Sequence, residues 1–295
     1  MSGATCHDAA TVRLFSVTFH HSTADFLIPD GKPLDEALPR ITHLGIGAHQ
    51  DDLEFMAFEG ILRCHDNDDE WFGGVVCTDG AGSSRSGEYQ NTTDSGMKEV
   101  RREEQRRAAR IGNYGVMIQL DHASETLRNP ASSPLVQDLR KILLSAQPKI
   151  VYTHNPADKH TTHVAVVLAT LEAIKMLPEH LRPSRVIGCE VWRDLDWMPD
   201  EDKVIMDVSG GDLLAATLME CFQSQIAGGK RYDLAILGRR AAHATFLDPR
   251  KVDTACQVIL GMDLTPLVTG ESRSIQEFVS GLIDRFRSEV TSSLR

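Results

Sequence analysis

The chain lacks several features that would assign a function class at once. Its six cysteines (Cys6, Cys64, Cys77, Cys189, Cys221 and Cys256) are scattered and form no CxxC pair. That argues against a Cys-built zinc site or a disulfide framework and suits reduced thiols in a cytoplasmic protein. No run approaches the ~18 consecutive apolar residues of a membrane-spanning helix. Met1–Ser22 carries Asp8 and other polar residues where a signal peptide needs an apolar core, so no signal peptide is expected. Positive charge is in deficit: 31 Lys and Arg stand against 42 Asp and Glu, for a formal net charge of −11. Binding to nucleic acid or to an anionic membrane surface is not expected from that balance. Internal repeats, low-complexity stretches and a convincing linker are missing too. Residues 1–40, broken by Pro29, Gly31 and Pro33, read as an N-terminal extension, and residues 41–295 as one domain ending in a helical embellishment.

What is present is ordinary globular composition, 41% hydrophobic and 25% charged over 295 residues. Strand-like and helical patterns alternate from Ile41 onward. Ile41–Ala48, Trp71–Thr78, Val116–Leu120 and Lys149–Thr153 read as strands. Helical patterns follow them near Leu53–Cys64, Met97–Ile111, Ser133–Ala146 and Val164–Met176. Such alternation predicts an α/β fold with a mainly parallel sheet. Further strands are expected at Val12–Phe19, Arg185–Trp192 and Lys203–Val208, and further helices at Leu213–Phe222, Lys230–Arg240 and Ile275–Val290.

Polar residues collect at two of the predicted strand ends. The first strand runs into His49-Gln50-Asp51-Asp52, and the fourth into Asp158-Lys159-His160-Thr161-Thr162-His163. If the first four strands take the common order 3-2-1-4, the sheet reverses its winding between strands 1 and 4, and both clusters face the crevice at that reversal. Each cluster alone is explained by helix capping. Together they predict a metal site made of His49, Asp52 and one of His160 or His163, two histidines and a carboxylate with a position left for water. Asp51 is then placed as general base, and the remaining histidine as a stabiliser of negative charge on the substrate. The predicted reaction is metal-assisted hydrolysis of an amide or ester.

The same residues carry a family resemblance. Ala48-His-Gln-Asp-Asp-Leu-Glu54 resembles the AHPDDxE signature of the PIG-L/LmbE-type zinc deacetylases. Thr78-Asp-Gly80, the Arg101-Arg-Glu-Glu-Gln105 helix, the Asp158-x-His-x-x-His163 loop and Ser224-Gln225 are similar to further family features, so that the resemblance spans roughly residues 41–247. It implies a Rossmann-like fold with helices on both faces of the sheet, and removal of an N-acetyl group from an N-acetylglucosamine-like small molecule. It further implies zinc, or another divalent cation such as iron(II), on His49, Asp52 and His163, with Asp51 as base and His160 polarising the carbonyl. Asp121 and Arg85 fall near positions for substrate hydroxyls, and the resemblance also allows a homo-oligomer. Gln50 stands in place of the usual proline, which loosens the turn. Thr162 stands in place of an aspartate that orients the neighbouring histidine, a task left to His154, Asp158 or Glu190.

Three other readings are weighed. An amidase acting on a thiol–sugar conjugate fits the same residues. An iron(II) facial-triad oxygenase shares the donor set but is usual on all-β barrels. A non-catalytic nucleotide-binding module would use Gly45-Ile-Gly47, which lacks the third glycine and ends in carboxylates that repel a pyrophosphate. Elsewhere the bland reading is preferred. Lys98–Arg110 reads as a solvated helix face, Trp192 and Trp197 as packing residues, and Leu213, Leu214, Leu218 and Phe222 as core.

Overall fold

The computed structural model describes residues 18–127, 133–270 and 273–295. Eight strands form one sheet: β1 (Asp25–Leu27), β2 (His43–Gly47), β3 (Phe72–Thr78), β4 (Val116–His122), β5 (Ile150–His154), β6 (Arg185–Cys189), β7 (Lys203–Asp207) and β8 (Val258–Asp263). Their order is β1-β4-β3-β2-β5-β6-β8-β7. The five central strands, β4 to β6 in that order, are parallel, while β1 joins β4, and β8 joins β6 and β7, in antiparallel pairs. Counted from Ile41, the order 3-2-1-4 is the one found, and the winding reverses between β2 and β5.

Strand periodicity splits the core in two. Leu44, Ile46, Val75, Ile118 and Val151 point to one face and pack on Leu139 and Leu143 of the Ser133–Ala146 helix and on Val167 and Leu171 of the Thr161–Lys175 helix. Val76, Met117, Tyr152 and Ile187 point to the other, where Leu53, Phe58, Ile61, Leu218 and Phe222 cover them. Strands buried on both faces read as near-continuous apolar runs, which is why β2 and β3 were legible.

Glycine in β2 serves helix packing, not nucleotide binding. A Cβ on Gly45 would lie 2.7 Å from Phe72 Cζ and 2.9 Å from Leu53 Cδ2. Gly45→Ala is therefore expected to destabilise the fold by about 1–3 kcal/mol through overpacking. Denaturant unfolding checks this; an unchanged midpoint would mean that Phe72 and Leu53 shift at no cost.

Several expectations are corrected. β8 was not anticipated, because a short apolar run interrupted by Gly261 gives no decisive period. β1 turns part of the N-terminal extension into an edge strand. Residues 12–17 of the expected Val12–Phe19 strand lie outside the described residues. Leu213 is 83% exposed and not core, although Leu218 and Phe222 are. Arg101, Glu104 and Gln105, expected on a solvated face of the Asp94–Ile111 helix, are buried. No helix among the described residues is long and apolar enough to cross a membrane.

Candidate active site

The two polar clusters meet at the reversal. Just past β2, Ala48 O accepts hydrogen bonds from Thr78 N (2.9 Å) and Thr78 Oγ1 (2.7 Å), which hold the loop to the end of β3. Gln50 tightens this turn rather than loosening it: its buried Nε2 donates to Thr78 O and to Gln119 Oε1, each at 3.2 Å. On the other side Asp158 Oδ1 accepts from His160 N at 2.9 Å, and the Thr161–Lys175 helix starts one residue later, placing His163 in its first turn.

His49 Nδ1, Asp52 Oδ2 and His163 Nε2 converge. The His49–His163 separation is 3.1 Å, His49–Asp52 is 3.3 Å and His163–Asp52 is 3.4 Å. Donors bonded to one tetrahedral zinc ion at about 2.0–2.1 Å stand about 3.3 Å apart, so the set fits such an ion. Lone pairs facing one another at this distance repel unless a cation or a proton lies between them. Burial alone would raise the Asp52 carboxyl, but the surrounding imidazoles, His163 foremost, hold it well below its usual range. Burial pushes the His163 imidazole down to about 4, so it presents a neutral lone pair. His154 also approaches Asp52, at 3.4 Å, but its Nε2 already accepts the Ala48 N–H at 2.9 Å, so that lone pair is taken. It stacks on His163 with ring centroids 3.9 Å apart and supports that ring from behind.

Asp51 sits beside this set in a left-handed backbone conformation, φ 91°, which a non-glycine residue holds only when its surroundings impose it. The restraints are visible. Its N–H donates to Gln105 Oε1 at 3.1 Å, and Gln105 Nε2 donates in turn to Glu54 Oε1 at 2.8 Å. Arg101 donates to Asp51 Oδ2 at 2.8 Å and to Gln50 O. Arg101 is itself held by Glu104 Oε2 at 2.9 Å, and Glu104 accepts from Ser224 N and Ser224 Oγ. Asp51 Oδ1 has no hydrogen-bond partner among the described residues. Burial pushes the Asp51 carboxyl up to about 7 against the opposing charge of Arg101; a bound cation would act in the same sense as Arg101.

His160 lies at the mouth of the set. Its ring is edge-on to His49 at 4.9 Å and stacks loosely on Trp192 at 6.5 Å. Its buried Nδ1 has no hydrogen-bond partner among the described residues. The carboxylate missing at Thr162 is thus not replaced beside His160. Asp158 instead faces His163, with Oδ2 3.6 Å from Nδ1, slightly beyond hydrogen-bond length. Glu190 is engaged by His243 at 2.9 Å.

A cavity of about 340 Å³ opens over these residues. Its lining includes His49, Asp51, Asp52 and His160 together with Gly80, Gly82, Ser83 and Ser84 and with Phe55, Trp192, Tyr232 and Arg239. Trp192 is 38% exposed and lines the cavity, which corrects its assignment to packing. Arg85 does not line this cavity: it bonds Ala81 O and Asp94 in an adjoining cleft. Asp121 is taken up by Arg102 and Thr23 and lines neither space. Sequence reasoning missed Tyr232 and Arg239, and it quoted Gln105 only within the family-like Arg101-Arg-Glu-Glu-Gln105 run, with no role at the site. For Gln105 a signal existed, since Met97, Arg101, Glu104, Gln105 and Ala108 form one helical stripe.

Residues 44–174 match the PIG-L family model, described as GlcNAc-PI de-N-acetylase. No curated protein matches the chain significantly. Among solved structures, a conserved protein of Thermus thermophilus is 18% identical with a TM-score of 0.60, over 79% of this chain and 100% of its own. The 4-carboxy-2-hydroxymuconate hydratase of Pseudomonas putida is 19% identical with a TM-score of 0.55, over 79% and 100%. The N,N′-diacetylchitobiose deacetylase of Pyrococcus horikoshii is 18% identical with a TM-score of 0.57, over 74% and 82%. At these identities the likeness speaks for the fold, which serves both a hydratase and a deacetylase. The family match takes in both polar clusters, His49 to Asp52 and Asp158 to His163, and covers less than half of the chain, which over those residues is similar to the PIG-L (GlcNAc-PI de-N-acetylase) family.

Proposed function

We propose that the protein is a zinc-dependent N-deacetylase acting on an N-acetylglucosamine-like small molecule or a close amide analogue. The observation that carries the reading is the convergence of His49, Asp52 and His163 within 3.1–3.4 Å of one another beside Asp51. A zinc ion on those three donors, which also accept iron(II), supplies Lewis-acid activation of water and of an amide carbonyl. In this reading Asp51 takes the proton of the attacking water on Oδ1, supported by Arg101 holding Oδ2. The same carboxyl then returns the proton to the departing nitrogen, so that a C–O bond forms, the C–N bond breaks, and acetate and a free amine result. In this reading His160 hydrogen-bonds the oxygen on which negative charge builds. The Gly80–Ser84 wall offers backbone and hydroxyl groups suited to sugar hydroxyls. Unpaired Cys64, Cys77, Cys189, Cys221 and Cys256 support a reducing, cytoplasmic setting.

Metal analysis of the purified protein, with acetate release measured on a panel of N-acetylated sugars and simple acetamides, tests the reading. About one zinc per chain and release of acetate from amino-sugar amides are expected; hydration of an unsaturated acid without acetate release would overturn it. His160→Ala is expected to keep the metal and to slow turnover by about 10²–10³-fold, the usual cost of losing one donor to a developing oxyanion. Loss of metal in that variant would assign His160 to the ligand set instead.

A further inference from the structure

The sheet ends on β7, and that edge is open. Its five residues, Lys203-Val-Ile-Met-Asp207, pair with β8 in unbroken register, and no proline or bulge blunts the outer side. An edge left in this state is a template for another strand. The register decides which backbone groups are free. Val208 N donates to Gln257 O at 3.0 Å, which makes these two residues a hydrogen-bonded pair of the β7–β8 ladder. Alternation along an antiparallel ladder then turns the N–H and C=O groups of Val204 and Met206 toward β8, and those of Lys203, Ile205 and Asp207 outward. Lys203 N is spent on Asp200 O; the backbone groups of Ile205 and Asp207 have no partner on the outer side among the described residues. The side chains of the same three residues share one face of the sheet. Ile205 is 42% exposed. Asp207 is exposed, with Oδ1 taking Ser209 N at 2.9 Å and Oδ2 open, and Lys203 Nζ meets the exposed Asp200 at 2.6 Å.

This strand complements itself when turned end for end. Centred on Ile205, an antiparallel pair of β7 strands exchanges both Ile205 hydrogen bonds and sets Asp207 N–H against the Lys203 carbonyl. Lys203 of each copy then faces Asp207 of the other, and Ile205 meets Ile205, both favourable cross-strand pairs. A parallel pair in register would set lysine on lysine and aspartate on aspartate. The strand alone falls short of the ~800 Å² per partner of a stable interface, and the Ile275–Ser293 helix extends the surface. Ile205 lies opposite Leu260 and shares its face, and Leu260 belongs to the same buried cluster as Leu282 of the helix. Arg285, one turn on, bonds Asp202 at 2.5 Å beside the start of β7. Beyond Leu282 the helix exposes Ile283, Phe286 and Val290. The two-fold axis of the strand pair stands perpendicular to the sheet, so both copies of the helix lie on the same face of it. We propose that β7 and this helix form the interface for a second copy of this chain, joining two sheets into one.

Sedimentation velocity of the full chain over a wide range of concentration, beside amide hydrogen exchange, tests the proposal. A dimer is expected, with the Ile205 and Asp207 amides protected in it and exchanging freely in the monomer. Ile205→Lys, at an exposed position, should stay folded by circular dichroism and sediment as a monomer, because two lysines then meet at the axis. Asp207→Lys and Lys203→Asp should each weaken the dimer by at least about tenfold through facing like charges. An equimolar mixture of those two variants should recover it as a heterodimer, since every facing pair is again opposite in sign. A wild-type monomer at every concentration overturns the proposal, as does a dimer that Ile205→Lys leaves intact or whose two amides exchange freely. A larger closed assembly supports it where Ile205→Lys breaks that assembly down with loss of protection at Asp207, and overturns it otherwise. Mass that grows without limit points to a head-to-tail contact of β7 with the β1 edge of the next copy, and also overturns it. Should Ile205→Lys not fold, the mixed charge variants and the wild-type amides decide.

Discussion

Asp51→Asn should leave a folded, metal-loaded protein whose turnover is lower by about 10²–10⁴-fold, the range for removing a general base. Asparagine is close to isosteric, and its carbonyl oxygen still accepts from Arg101, which now donates to Asp51 Oδ2 at 2.8 Å. The backbone contact from Asp51 N to Gln105 Oε1 does not involve the side chain and survives. The left-handed φ of 91° favours the change, since asparagine tolerates that region at least as well as aspartate. What is lost is a carboxyl oxygen facing the cavity that can take and return a proton. Acetate release under single-turnover conditions, read beside metal content and thermal midpoint, separates loss of chemistry from loss of structure. A rate within a few-fold of wild type, with metal retained, would remove Asp51 from the mechanism and leave the proton to another group.

The parallel core of the fold and the two ligand clusters were legible because their signals are local. β2 and β3 are unbroken buried runs, and each cluster lies within a few residues of a strand end. Topology then joins His49 to His163 across 114 residues of sequence. The support around Asp51 was less legible. Arg101, Glu104 and Gln105 lie in an 18-residue helix with charged residues at eight of the other fifteen positions, so their burial is masked by solvated neighbours of similar type. Only position on the inner stripe distinguishes Arg101, which is 1% exposed, from Arg102 beside it. The roles of Trp192 and Arg239 depend on a loop and a helix from the second half of the chain closing over the crevice, and no local pattern encodes that. β8, which enters antiparallel between β6 and β7, gives no decisive period because Gly261 interrupts its short apolar run.

His163→Ala is expected to abolish metal retention and to bring hydrolysis down to background. His163 is fully buried, and its Nε2 stands 3.1 Å from His49 Nδ1 and 3.4 Å from Asp52 Oδ2. Deleting it leaves two donors of the set, and His154 cannot take its place while its Nε2 accepts the Ala48 N–H. Changing a group behind a ligand already costs about 10–100-fold in metal affinity. That is the loss expected for Asp158→Asn, whose carboxylate lies 3.6 Å from His163 Nδ1. Removing the ligand itself should exceed it. Chelator competition measures both losses, and thermal unfolding gives an independent reading: zinc at 100 times its Kd should stabilise the wild-type fold by about 2.7 kcal/mol, and His163→Ala should show almost none of this. Comparison with His160→Ala decides the assignment, because the two histidines lie three residues apart with ring centroids 4.6 Å apart. If His160→Ala empties the site and His163→Ala does not, the ligand and the carbonyl-facing imidazole exchange roles. The three-donor centre would then be His49, Asp52 and His160, with Trp192 stacked on a ligand in place of a catalytic ring.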